Sequence, residues 1–281
     1  MRIKLIQLDG ALPNLALMKL AHWHRTRGDS VDVTRSIEPD LFESPYDQVY
    51  ASALFSFSAA RVLRFKQCYP QGILGGTGSG NAITVEEVIG QTEYEKYSYA
   101  GWDVDYSLGF TQRGCRLKCK FCVVPAKEGR NRSVNGIADI WRGPGHAKKL
   151  HLLDNDFFGQ PDGAWRTRID EITAGDFKVC LSQGINVRLI TAETAAALAR
   201  IEYRDTGFSR RRLYTAWDNL GNERVFFKGV ERLEAAGVPP THLMAYMLVG
   251  FDGNETWEKI WHRFNRMVER GIKPYPIQSS D

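Results

Sequence analysis

The sequence predicts an α/β protein in two parts, a small parallel-sheet domain over residues 1–92 and a second series of strand–helix units over residues 93–281. Three observations predict this. Short apolar runs alternate with longer stretches of helical spacing along most of the chain, the pattern of parallel strands joined by crossover helices. Several of the helical stretches stop at a glycine, as helix C-termini prefer. An aperiodic segment rich in Tyr, Glu and Lys, Glu86 to Asp105, interrupts the alternation and reads as the connection between the parts.

In the first part, Ile3–Leu8 is an apolar run ending at Asp9-Gly10, and Asn14 to Arg27 carries Leu17, Leu20 and Ala21 at helical spacing before Gly28. Val31–Thr34 and Gln48–Leu54 read as strands, Ala59–Tyr69 as a helix and Gly72–Leu74 as a last strand. This is a Rossmann-like layout. The loop Gly75-Gly-Thr-Gly-Ser-Gly80 follows; it reads either as a tight turn or as a phosphate cradle, and it lacks the GxxxxGK[ST] pattern. In the second part six strands are expected: Tyr106–Thr111, Lys149–Asp154, Lys178–Ser182, Arg212–Ala216, Leu243–Val249 and Pro274–Ile277. Helices are expected between them, among them Ala192–Ile201, Glu223–Ala236 and Glu255–Arg270, the last two stopping at Gly237 and Gly271.

At 281 residues the chain is long enough to bury a substantial core, and 43% hydrophobic with 25% charged residues is ordinary for a soluble globular protein. A net charge of +4 permits an anionic substrate or a nucleic acid and selects neither. No apolar run is long enough to span a bilayer, and the first ten residues read as a strand without a signal peptide's apolar core. Membrane function is therefore not expected. Five cysteines, three of them wanted as free thiolates, suit the reducing cytoplasm.

Those three lie in Arg113-Gly-Cys-Arg-Leu-Lys-Cys-Lys-Phe-Cys-Val-Val-Pro, a CxxxCxxC spacing of Cys115, Cys119 and Cys122 with Phe121 beside the last. A loop this short can turn three thiolates toward one point. Three protein ligands on a [4Fe–4S] cluster leave one iron open to bind a further molecule. Structural zinc usually takes four ligands in paired spacings. Here Cys68 and Cys180 are isolated, and the nearest histidine is His146.

The motif is similar to the CxxxCxΦC signature of radical S-adenosylmethionine (SAM) enzymes, with Phe121 as the aromatic Φ. The resemblance implies that the second part is a partial (β/α)6 barrel carrying the cluster on the loop after its first strand. It also implies reactive groups at the C-terminal ends of the strands, and SAM as cosubstrate with an electron donor such as flavodoxin or ferredoxin. By the same resemblance Asp154 and Asn155 match an acidic variant of the site for the SAM amino group. Gln183, Asn186 and Arg188 are candidates for its ribose and carboxylate, and Asp218 for a ribose hydroxyl, for orienting substrate or for capping a helix. Leu248 and Gly250 stand near the adenine, in a segment resembling GxIxGxxxE whose first glycine is replaced and whose Glu255 falls one residue late. Lys127 and Arg130, in the continuation Val123-Val-Pro-Ala-Lys-Glu-Gly-Arg130, would contact an anionic substrate or screen the cluster's charge.

The first part resembles the cobalamin-binding domain that precedes many such barrels, in layout and in its glycine-rich loop. It lacks the DxHxxG segment whose histidine ligates cobalt. Three functions from different classes follow: a radical SAM enzyme without cobalamin acting on an unknown substrate, a cobalamin-dependent radical SAM methyltransferase, and a non-enzymatic zinc or nucleic-acid-binding protein. A methylthiotransferase is excluded because only Cys68 precedes the motif, too few thiols for a second cluster.

Overall fold

A computed structural model of the chain describes residues 1–278 apart from 41, 82, 92 and 93. It is an α/β protein of two compact units, divided after Val104. The expected boundary between residues 92 and 93 lies outside the described residues.

The first unit contains β1 (Arg2–Gln7), α1 (Leu15–Thr26), β2 (Ser30–Thr34), β3 (Gln48–Ser52), α2 (Ala59–Cys68), β4 (Ile73–Gly75) and α3 (Val85–Ile89). Its four strands form one sheet in the order β2-β1-β3-β4, every pair parallel. The period of two in β1 explains the layering. Ile3 and Leu5 pack with Leu17, Leu20 and Ala21 of α1 on one face, while Ile6 and Leu8 pack with Val62 and Phe65 of α2 on the other. Asn14 opens α1 by accepting the Leu17 N–H at 3.2 Å, and Gly28 turns the chain after it with φ +83°. The stretch of little periodicity expected to connect the two parts, Glu86 to Asp105, overlaps α3 at its start. Thr84 and Glu87 cap it reciprocally, a local bond pattern that outweighs its weak periodicity.

The glycine-rich loop packs against the exit of β3. Gly78 N donates to Ala53 O at 2.9 Å, and Gly76 stands at φ +95° where a Cβ would lie 2.2 Å from the same carbonyl. The close backbone approach explains the glycines without a ligand.

The second unit contains β5 (Ser107–Gly109), β6 (Gln112–Arg113), α4 (Val124–Glu128), β7 (Arg132–Ser133), α5 (Ile137–Ile140), β8 (Lys149–Leu152), α6 (Trp165–Ala174) and β9 (Lys178–Leu181). It continues with α7 (Ala192–Arg200), β10 (Glu202–Tyr203), β11 (Leu213–Ala216), α8 (Glu223–Ala235), β12 (Leu243–Val249), α9 (Trp257–Glu269) and β13 (Lys273–Gln278). All six expected strands are present, in two parallel sheets ordered β10-β9-β8-β5 and β11-β12-β13. One bond ties the exit of β9 to β11: Ile185 N donates to Tyr214 O at 2.7 Å. In β13, Pro274 and Pro276 alternate with Tyr275 and Ile277 along the register with β12.

Alternation again sorts the faces. Leu150, Leu152, Val179, Leu181, Leu213, Ala245 and Met247 join Ile169 of α6, Leu198 of α7 and Phe226 of α8 in one core. The opposite face carries His151 and Cys180, with Tyr214, Tyr246 and Phe208. Among the described residues no helix is long and apolar enough to cross a membrane.

His151 is fully buried; its Nε2 lies 2.6 Å from Ser182 Oγ and its Nδ1 has no hydrogen-bond partner. Burial pushes it down to about 4 from an ordinary 6.5. Between those values the unfolded chain binds a proton that the folded chain refuses. Stability is therefore full above pH 6.5 and is lost as pH falls toward 4, by roughly 3 kcal/mol from this residue. Urea unfolding at pH 7.5 and pH 4.5 checks this: His151→Gln should lose markedly less stability between the two than the native chain. Equal losses would show that His151 does not titrate in this way.

Candidate metal centre

The three expected ligands lie on one loop between β6 and α4, closed at its base by the antiparallel pairing of β6 with β7. Cys122 N donates to Cys119 O at 3.0 Å and Leu117 N to Cys115 Sγ at 3.4 Å, so the backbone turns twice within eight residues. Gly114 makes the entry: at φ +78° it lies where a Cβ would sit 2.4 Å from the Arg130 carbonyl oxygen. Phe121 is exposed and meets Phe251 edge to face at 5.5 Å. All five cysteines are free thiols, and the three of the motif are half-buried.

Among the described residues no three His, Cys, Asp or Glu side chains are gathered as a metal site. The ligand set is thus placed on one loop without being drawn to a point. The donor chemistry fits an iron–sulfur cluster. Burial pushes the Cys115 thiol up, and the negative charges of Asp156, Cys122 and Cys119 push it further, a repulsion that a cationic centre relieves.

The turn after β8 carries Asp154, Asn155 and Asp156. Asp154 is buried and accepts from Thr111 N at 2.7 Å, Gln112 N at 3.2 Å and the Thr111 hydroxyl. Burial pushes its carboxyl up to about 7 against the pull of those bonds. Asn155 Nδ2 donates to Glu128 Oε2 at 3.0 Å. Asp156, also buried, takes the Arg116 guanidinium in a two-pronged bond, Nε at 2.7 Å and Nη2 at 2.9 Å. The carboxylate of Asp154 thus faces the backbone around Thr111.

After β9, Gln183 is exposed, while Asn186 is half-buried and accepts from Arg188 Nε at 3.2 Å. After β11, Asp218 is half-buried and accepts from Leu248 N at 3.1 Å. Burial raises the Asp218 carboxyl, with the charges of Arg188 and Arg263 pulling the other way. Asp218 lines a cavity of about 340 Å³ with Asn219, Leu220, Gly221, Asp252, Glu255 and Lys259. The cavity lies where the chain leaves β11 and β12, and Gly250 turns the chain nearby with φ +83°.

Beneath it lies Arg263, which sequence reasoning passed over. Its side chain is wholly buried. It donates to Trp217 O at 2.8 Å and Leu248 O at 2.9 Å and pairs with Glu255. The signal available was an arginine set in the apolar stripe of α9, between Ile260 and Met267. Gln112 was also missed. It is fully buried and bonds through its carboxamide to the carbonyls of Arg113 and Gly114, both at 2.6 Å, and to Asp156 N at 3.0 Å. No family model, curated protein or solved structure matches the chain.

Proposed function

We propose that the chain is a radical SAM enzyme that holds a [4Fe–4S] cluster through Cys115, Cys119 and Cys122 and acts on a substrate of undetermined class. The observation that carries this reading is the CxxxCxΦC motif on a loop that follows β5, the first of the seven strands in the two parallel sheets of the second unit. When bound, the cluster supplies one electron, at an iron left free by the protein, for reductive cleavage of SAM to methionine and a 5′-deoxyadenosyl radical.

The chain's own residues would bind and orient the cosubstrate. Arg188 offers a planar fork suited to the methionine carboxylate, with Asn186 holding it from the side. The cavity lined by Asp218, with Leu248 and Gly250 nearby, suits the adenosyl half. The Asp218 carboxylate and the Asn219 carboxamide that line it are polar groups of the kind that hold a ribose and an adenine. The turn after β8 is already engaged within the chain: Asp154 holds Thr111 and Gln112 with its carboxylate, and Asn155 donates its amide to Glu128.

The finer fold belongs to the same reading, a partial (β/α)6 barrel formed by β5, β8, β9, β11, β12 and β13. Chain-order pairing within each sheet and the bond from Ile185 to Tyr214 support it. A flavodoxin- or ferredoxin-like electron donor and a cytoplasmic setting complete it, since reduced thiols persist there. A cobalamin-dependent methyltransferase stands second, favoured by the all-parallel sheet of the first unit.

Anaerobic reconstitution with iron and sulfide should give about four irons and four sulfides per chain. Reduction with SAM should then release 5′-deoxyadenosine. A single bound zinc, or no iron taken up and no SAM cleaved, would overturn the reading. Cobalamin added to the same material reports the second reading by its absorbance on the protein.

A further inference from the structure

We propose that Asp154, Asn155 and Asp156 form a three-point clamp that positions the cysteine loop before any metal arrives. The inference rests on the reading of Cys115, Cys119 and Cys122 as ligands, and it reassigns the turn after β8 from cosubstrate binding to loop positioning.

The loop has no core of its own. None of residues 115–129 is buried, so apolar packing does not fix where its sulfurs stand. What fixes it is a set of polar bonds to one turn. Asp154 holds the approach through Thr111 and Gln112. Asp156 holds the first cysteine's neighbour, accepting from both the backbone N–H of Arg116 at 3.2 Å and its guanidinium. Asn155 holds the exit through Glu128. Glu128 in turn accepts Gly114 N at 2.9 Å and pairs with Arg113 at 3.1 Å, so the third point returns to the first.

Both carboxylates are 3% exposed. The bond of Asp156 to the Arg116 guanidinium is charge-assisted, directional and strong, and freeing Arg116 leaves that carboxylate in a poorly solvated place. Three consecutive residues therefore grip the loop before, beside and after its cysteines.

The metal-free chain tests the clamp. The loop contains Lys118 and Lys120, and trypsin reads how often it opens. Arg116→Ala should speed cleavage at these lysines by about tenfold, the worth of one charge-assisted bond. Arg116→Lys, which keeps the charge but not the fork, should fall between the two.

Alkylation of Cys115 gives an independent reading whose direction excludes a plain charge effect. Removing a neighbouring cation disfavours the thiolate and would slow alkylation, whereas release of the loop speeds it. Arg116→Ala should therefore raise the Cys115 rate relative to that of Cys68. Asp154→Asn should speed tryptic cleavage as well, and after reconstitution both variants should broaden the low-temperature EPR signal of the reduced cluster.

Cleavage and alkylation rates unchanged in Arg116→Ala and Asp154→Asn would overturn the clamp, even with a normal cluster in the native chain. Rates that change as expected, in a native chain that takes up no iron, would leave the clamp standing and remove the cluster.

Discussion

Replacing Cys119 with alanine is expected to abolish iron retention and to lower SAM cleavage at least about 100-fold, the upper range for losing even an outer partner of a metal site. Cys119 is the middle sulfur of the loop, and the described residues offer no gathered group that would substitute for it. The backbone should be indifferent to the change. Cys119 is half-buried and its carbonyl, not its sulfur, closes the turn to Cys122. Far-ultraviolet circular dichroism and the urea midpoint should therefore match the native chain while iron content falls. The same substitution at Cys180 gives the contrast. That thiol is buried on β9, away from the cysteine loop, and burial pushes it up to about 12, so Cys180→Ala should leave the iron content unchanged. If Cys119→Ala retained a full complement of iron, the three-thiolate reading would be wrong.

Arg263→Ala is expected to destabilise the second unit by about 3–5 kcal/mol, the range for breaking a buried ion pair from one side. The side chain is fully enclosed, and its loss strands Glu255 together with the carbonyls of Trp217 and Leu248. Those two carbonyls end adjacent strands, β11 and β12, and Glu255 begins the approach to α9. One guanidinium thus ties Glu255, which lines the cavity with Asp218, to the backbone at the ends of β11 and β12. Urea unfolding of Arg263→Ala against Arg263→Met/Glu255→Gln separates the contributions. The double variant fills the space and removes the stranded charge, and it should recover a measurable part of the loss. A cost below about 1 kcal/mol, the worth of an exposed pair, would show that Arg263 is solvated in practice.

The strands and long helices were legible because burial imposes a period. Lys178–Ser182 and Leu243–Val249 read as strands from letters alone and stand as Lys178–Leu181 and Leu243–Val249. The helix expected from Glu255 begins at Trp257 because Thr256 caps it, its hydroxyl accepting Lys259 N at 3.4 Å. The pairing of β6 with β7 left no such trace. It spans two residues on each side and is secured by Gln112, whose partners follow no spacing rule. The cysteines announced themselves by chemistry. The partners of Asp154 did not, since they lie 42 and 43 positions upstream. Local patterns report which face of an element is covered; they are silent on which side chain crosses from one strand end to another loop.

The paired prolines of β13 have a consequence for solubility. Pro274 and Pro276 have no N–H, so the ladder to β12 must use the amides of Tyr275 and Ile277, and the rim pointing away offers carbonyls at the proline positions. A foreign strand laid along that rim would find acceptors without matching donors and could not zip into register. The β13 edge of the sheet is thereby protected against strand addition by two ring nitrogens.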